Sequence, residues 1–471
     1  MIELFLEVQW ADHQVLRNLR LDFRKPDGSP YRTIVIAGEN GTGKTSILTS
    51  INDLMMGKPT PTLNHATYER NGCLYSSMPD RKNPNYGFYY RKNLETGEEQ
   101  YFHIDDHHFN SNANDDEAEL RHYGCIYLSA RSGFKTSPIK SSTTKQLDTE
   151  KSGEDGNFDY TEIKQLIVDL DGQDAQEYRI KTEKAIDQEG FASKENSSEI
   201  KNKSRMHKFI NAFDGFFDCK LKFRDIDYNN PNEKVIRFAK GNKQISIDDL
   251  STGEKQIVFR GAYCLRNNGK LKNGLVLIDE PELSMHPKWQ RKILQYYRNL
   301  FTDNGEQTVQ MIITTHSDHV VSEALANKDD VKVIILKEDN NAVIAHDIGE
   351  CVLPRIQSSE VNYIAFGIPT LDYFLALYCR VQEIAAESDY KDTVNGCDEF
   401  IADSTLYDSS MSKDDKYRGT PYKTLPTYIR NAICHPNSPR SIKDTDVERC
   451  IEFLRRMCES HKHETDSEST Q

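Results

Sequence analysis

The chain has 471 residues, of which 37% are hydrophobic and 28% charged. At roughly 100–200 residues per domain, such a length makes roughly two to four folded units. No window approaches the ~20 consecutive apolar residues of a membrane span, and Glu3 stands where a secretion signal carries positive charge. A net charge of −14 excludes a wholesale nucleic-acid coat, while a local basic groove remains compatible with it. The ten cysteines are scattered singly with no C-x-x-C pair. That is the usage of reduced thiols, so a cytoplasmic chain with neither disulfide frame nor zinc ribbon is expected.

Residues 2–8 and 19–23 read as short strands, followed by a turn at Lys25-Pro26-Asp27-Gly28. Thr33-Ile34-Val35-Ile36-Ala37 is a β-branched run of the kind buried on both faces of a sheet. It leads through a Gly-rich turn into a helix from Thr45 to about Leu54. Residues 86–90 and 100–104 flank Glu95-Thr96-Gly97 as a hairpin, residues 110–120 read as a polar loop, and residues 126–130 as a core strand. From 131 to 158 the chain is Ser/Thr/Lys/Gly-rich without periodicity. Helical patterns near 160–186 and 199–217 follow, separated by polar residues 188–198. Neither sustains the heptads of a long coiled coil. Strand patterns return from Lys220 to about Val343, and a helical region follows.

Gly38-Glu39-Asn40-Gly41-Thr42-Gly43-Lys44-Thr45 fits G-x-x-x-x-G-K-[ST] between a buried strand and a helix. In such a loop Gly38, Asn40, Gly41 and Gly43 let backbone N–H groups curl round phosphates, and the helix N-terminus adds positive potential. Lys44 is then expected to reach the β- and γ-phosphates and Thr45 to ligate Mg²⁺, making ATP and Mg²⁺ the expected cofactors. The bland alternative is a Gly-rich turn that binds nothing. Leu275 to Glu280 is an apolar strand ending in two acids, with Asp279 the expected Mg²⁺ anchor and Glu280 the base that polarises the attacking water.

Leu250-Ser251-Thr252-Gly253-Glu254-Lys255-Gln256 lies upstream of that strand, and Met311-Ile312-Ile313-Thr314-Thr315-His316-Ser317 downstream. The ordered set resembles the ABC-type ATPases of the RecF/SMC branch: phosphate loop, signature, acidic strand, switch His. The resemblance implies an α/β ABC-ATPase head over 1–350, a mixed sheet with P-loop core plus an antiparallel β subdomain. An insertion at about 131–225, partly helical and partly disordered, interrupts it, and an α-helical C-terminal domain follows over 351–471. It implies that Ser251 and Gly253 bind the γ-phosphate held by an opposite subunit, that His316 contacts the γ-phosphate in its own subunit, and that ATP pairs heads into dimers or higher even oligomers. His286, in the loop after Glu280, is left open between packing and sensing the opposite nucleotide. No Q-loop glutamine follows Ala130; Arg131 stands there instead.

The stretches 250–258 and 277–290 are similar to the ATPase subunit (PtuA) of Septu anti-phage systems, found also in some retrons. That likeness implies an HNH nuclease subunit as partner; a nucleic acid, DNA or RNA or retron-derived, is a further expected partner, and from the hydropathy no membrane is expected. Arg430 to His435 matches the R-x4-6-H pattern of HEPN ribonucleases, in which Arg and His meet at a dimer interface for attack by the RNA 2′-OH. Five residues of helix turn through about 140°, so the two side chains diverge unless the helix ends by Pro436. Three readings therefore stand: an ATPase controlling a nuclease partner, with Arg430 and His435 bracing a helical subdomain that docks partners; an ATP-gated HEPN-like ribonuclease using Arg430 and His435; and a RecF-like DNA-binding repair ATPase. Among lesser features, His103 to His108 could ligate metal but strand alternation and an acidic turn account for them. Lys135, Lys140 and Lys145 read as a solvated basic loop, and residues 459–471 as a disordered tail.

Overall fold

A computed structural model describes residues 4–468, apart from 57, 83–87, 104–124, 131–138, 140, 142–159, 190–203, 231–232, 266–270, 272, 340–341, 348–350, 356, 418–419, 436 and 438–439. The polar loop at 110–120, Asp105 to His108, Arg131, Lys135, Lys140 and Lys145 lie outside the described residues. The chain divides into two units, 1–346 and 347–471.

The first unit opens with β1 (Leu4–Trp10), β2 (Arg20–Asp22), β3 (Thr33–Gly38) and helix α1 (Lys44–Met55). Strands β4 (Leu63–Arg70), β5 (Cys73–Pro79), β6 (Phe88–Asn93), β7 (Glu99–His103) and β8 (Cys125–Leu128) follow. Helices α2 (Tyr160–Glu189) and α3 (Arg205–Phe216) precede the meander β9 (Leu221–Asp227), β10 (Val235–Lys240) and β11 (Lys243–Ser246). Next come α4 (Thr252–Cys264), β12 (Leu275–Asp279), α5 (Pro287–Gln290), α6 (Ile293–Leu300) and a small hairpin, β13 (Thr302–Asp303) with β14 (Glu306–Gln307). β15 (Gln310–Thr315), α7 (Asp318–Leu325), β16 (Val331–Asp339) and β17 (Ala342–Asp347) complete the run. The stretch 220–343, expected as strands, thus alternates strands with helices. These helices bury short amphipathic faces, as Ile293, Leu294, Tyr296, Tyr297 and Leu300 do in α6.

Two six-stranded sheets form, ordered β2-β1-β4-β5-β6-β7 and β17-β16-β3-β15-β12-β8. Five neighbours in the second, β16-β3-β15-β12-β8, run parallel. Every residue of β3, β12 and β15 is buried, as the β-branched runs require when both faces are covered. One hydrophobic core takes Phe5, Val8 and Trp10 from β1, Ile47, Leu48 and Ile51 from α1, and Leu277 and Ile312 from the parallel sheet. The buried Gln310 side chain joins the layers: its Oε1 accepts from Phe5 N (2.8 Å), and its Nε2 donates to Phe5 O and Tyr31 O (both 2.9 Å).

Under α4 lies an aromatic cluster. Trp289 meets Phe217 edge-on at 5.1 Å, Phe216 packs on Tyr296 at 5.3 Å, and Tyr296 Oη donates to Ile257 O at 2.8 Å. Gly261 admits this contact, because a Cβ there would stand 1.9 Å from Tyr296 Oη. Replacing Gly261 with Ala is therefore expected to destabilise the protein by about 1–3 kcal/mol through overpacking, against the usual gain for Ala in a helix. Thermal melting of the variant checks this.

The second unit contains α8 (Ser358–Phe366), α9 (Leu371–Glu387), α10 (Val394–Asp403), the hairpin β18 (Ser412–Tyr417) and β19 (Thr420–Thr424), α11 (Leu425–Cys434) and α12 (Asp444–Glu468). Its core joins Phe374, Leu377 and Val381 of α9 to Cys450, Ile451 and Leu454 of α12. The hairpin sits in a stretch read only as polar; the buried Asp398 fastens its end, accepting from Lys423 N, Thr424 N and Thr424 Oγ1. The tail expected to be disordered from 459 instead continues α12 to Glu468. Among the described residues no single helix is long and apolar enough to cross a membrane.

Candidate nucleotide site

The site gathers at the ends of the parallel strands. β15 lies between β3, which enters the phosphate loop, and β12, which ends in Asp279. The register places Asp279 beside Thr314 and Thr315 beside Ala37, so residues from three separate stretches meet at one sheet edge.

The phosphate loop turns through two left-handed glycines, Gly41 (φ 91°) and Gly43 (φ 86°). A Cβ on Gly38 would stand 2.6 Å from Leu336 O, and one on Gly43 2.4 Å from Leu16 Cδ2. Only glycine fits at those two positions. Gly43 then caps α1. Lys44 is buried; its Nζ donates to Gly38 O (2.7 Å) and Glu39 O (2.8 Å), spanning the loop from within. Burial lowers its pKa, opposed by the nearby carboxylates of Glu280, Asp279 and Glu282. Asn40 is exposed on the loop.

Thr45 Oγ1 donates to Asp279 Oδ2 at 2.8 Å, and Thr314 Oγ1 donates to Asp279 Oδ1 at 2.5 Å. The carboxylate of Asp279, 2% exposed, is thereby held by hydroxyls on both oxygens. The pair Thr45 and Asp279 offers hard oxygen donors beside a backbone anion cradle, so it fits a magnesium nucleotide.

Glu280 follows with φ 45°, in the left-handed region that a non-glycine residue enters at a cost of about 1–3 kcal/mol. That turn out of the strand aims its carboxylate at His316, whose Nδ1 lies 3.2 Å from Glu280 Oε1. The contact with His316 holds the Glu280 carboxyl below the usual range, and the same contact raises the His316 imidazole pKa. Nε2 of His316 makes no hydrogen bond among the described residues, and the side chain is 44% exposed.

The structure also engages residues that the sequence reading passed over. Glu282 Oε1 accepts from Thr315 Oγ1 (2.6 Å) and His316 N (3.0 Å), and lies 3.4 Å from His316 Nδ1. Arg260 reaches from α4 to donate to Ser129 O and to Asp279 O. The signal was present in part: two threonines close an otherwise apolar strand, Met311-Ile312-Ile313-Thr314-Thr315, and a second acid follows Pro281.

The signature residues stand apart from this group. Ser251 caps α4 in a capping box with Glu254: Glu254 N donates to Ser251 Oγ, while Ser251 N and Oγ both donate to Glu254 Oε2 at 2.8 Å. A Cβ on Gly253 would stand 2.9 Å from Ser284 O and 3.2 Å from Trp289. Among the described residues Ser251 makes no hydrogen bond to the phosphate loop. His286 is exposed and caps α5, its Nδ1 accepting from Lys288 N at 3.1 Å. In the second unit, α11 ends at Cys434, so His435 falls just past the helix, and Arg430 Nη1 donates to Asn431 Oδ1 at 3.1 Å.

Residues 34–322 match the family described as "AAA domain, putative AbiEii toxin, Type IV TA system". Among curated proteins, "Septu protein PtuA" of Bacillus thuringiensis is 29% identical over 154 residues, 30% of this chain and 35% of that protein. "Retron Vc95 probable ATPase" of Vibrio cholerae serotype O1 biovar El Tor is 36% identical over 108 residues, 21% of this chain and 20% of its own length. "Retron Ec83 probable ATPase" of Escherichia coli is 32% identical over 115 residues, 22% of this chain and 19% of that one. The matched stretches thus span about a third or less of those relatives. Among solved structures, an Smc head bound to the C-winged helix domain of ScpA aligns over 73% of this chain and 97% of its own, at 13% identity and a TM-score of 0.38. With more than half of its length matched, the chain belongs to this family of AAA-domain ATPases.

Proposed function

We propose that the chain binds and hydrolyses Mg²⁺-ATP, pairs with a second copy through the nucleotide, and controls a nuclease of the HNH type, held as a separate subunit, in cytoplasmic anti-phage defence. The observation that carries the ATPase reading is the Thr45–Asp279 hydrogen bond of 2.8 Å. It ties the phosphate loop to the acidic strand one residue before Glu280. When bound, the magnesium nucleotide supplies a polarised γ-phosphoryl group. Lys44 and the loop N–H groups would bind its phosphates, and Thr45 and Asp279 would hold the metal. Glu280 would orient and deprotonate the attacking water, and Nε2 of His316 would face the γ-phosphate while Nδ1 is held by Glu280.

Pairing is supported by where the signature sits. Ser251 caps α4 through Glu254 and Gly253 packs on Ser284 and Trp289 after β12, with no bond to their own phosphate loop among the described residues. A γ-phosphate reached by them would belong to a second head. The partner nuclease and any nucleic-acid ligand rest on the Septu and retron relatives. Co-purification with the products of neighbouring genes, followed by nuclease assay with and without ATP, tests the reading. An HNH subunit that co-elutes and carries the cleavage supports it; cleavage of RNA by this chain alone, abolished in His435→Ala, overturns it.

A further inference from the structure

One buried carboxyl of the site, that of Glu282, has no part in the proposed chemistry. Glu282 is 2% exposed, and one of its oxygens gathers the hydroxyl of Thr315, the backbone N–H of His316 and the ring Nδ1 of His316. Burying a carboxyl so completely is unfavourable unless fixed donors compensate. The donors to Oε1 all belong to the strand end that carries His316, while Oε2 is buried without a hydrogen-bond partner among the described residues and burial raises the Glu282 pKa. A second tether acts on the same turn: Ser317 Oγ donates to Gln290 Oε1 (2.6 Å), and Gln290 Nε2 donates to Met285 O (3.0 Å). The loop that follows Glu280 is thus fastened at two points to the loop that follows Thr315. The imidazole hangs from that backbone by two rotatable bonds, Cα–Cβ and Cβ–Cγ, and two carboxylates flank its Nδ1.

We propose that Glu282 is a positioning residue, which fixes the backbone and ring of His316 so that Nδ1 faces Glu280 and Nε2 is presented to the nucleotide. The proposal rests on the ATP-hydrolysing reading of this site. It assigns Glu282 no proton transfer and no contact with the nucleotide. Its effect is to keep the Glu280–His316 pair assembled, since a ring free to rotate would leave Glu280 without its partner and Nε2 without a direction.

The test uses the full chain and three variants. Glu282→Gln keeps an oxygen acceptor at the same reach, Glu282→Asp withdraws it by one methylene, and Glu282→Ala removes it. For Ala and Asp, kcat for ATP is expected to fall at least tenfold with KM within threefold of wild type, while Gln stays within threefold in both. The ring ¹⁵N signals of His316, assigned with His316→Gln and recorded without nucleotide, should show Nδ1 protonated in wild type and in Glu282→Gln. In the Ala and Asp variants they should show a mixture of tautomers. If Ala does not fold, the Asp variant decides. A change in kcat without a change in the ring, or in the ring without kcat, overturns the proposal, as does an equal loss in Gln and Ala. If wild type itself hydrolyses no ATP, the ATPase reading fails, and the ring signals still report whether Glu282 holds His316.

Discussion

Replacing Glu280 with Gln is expected to leave ATP binding intact and to slow hydrolysis by about 10²–10⁴-fold, the usual worth of a positioned general base. The carboxylate stands 3.2 Å from His316 Nδ1, and an amide oxygen can keep that contact while being unable to accept the water's proton. The strained turn at φ 45° is the same for either side chain, so the variant should fold like wild type. Under the pairing proposal the stalled nucleotide also keeps two heads together. Sedimentation of Glu280→Gln with Mg²⁺-ATP should show the paired species persisting, whereas wild type should lose it as ATP is consumed. Hydrolysis at the wild-type rate would remove Glu280 from its assigned role.

Replacing Lys44 with Ala should act one step earlier, on binding. Lys44 is nearly enclosed, with Nζ between Gly38 O and Glu39 O, at the point where the phosphates would come to lie. Hydrogen bonds from a charged donor are worth roughly 1.5–3 kcal/mol. Loss of this one is expected to weaken ATP binding by about 10–100-fold, measured by calorimetry. The same change leaves two loop carbonyls without their donor, so a modest fall in melting temperature should accompany it. Unchanged affinity would show that the loop does not hold phosphate.

Much of this site could be read from residue spacing, because the chemistry of a phosphate loop is local. Gly41, Gly43, Lys44 and Thr45 lie within one turn, and the conformations they require follow from residue type alone. Asp279 and Glu280 announced themselves as acids closing an apolar strand. What escaped was pairwise. Thr314 and Asp279 are 35 residues apart, and only the parallel register of β12 and β15 sets them side by side. Glu282 looked like one more acid in a loop until Thr315 and His316 were folded onto it. The hairpin β18–β19 was illegible for another reason: Ser412-Lys413-Asp414-Asp415-Lys416-Tyr417 has no apolar alternation, and its end is anchored by Asp398 from a helix rather than by its own side chains. Likewise α12 continues past Cys458 through a sequence with no apolar face to advertise it.

The side chain of Gln310 grips β1 at one end of a strand whose other end carries Thr314, Thr315 and then His316. Six extended residues span about 20 Å and resist compression along their length. A displacement of His316 along that axis would have little room to dissipate among neighbours buried on both faces. It would arrive at Phe5 as a push on the antiparallel sheet that holds β1. In engineering terms β15 has the place of a connecting rod: were the proposed nucleotide to push at the Thr315 end, Gln310 would be the pin that carries the push to β1.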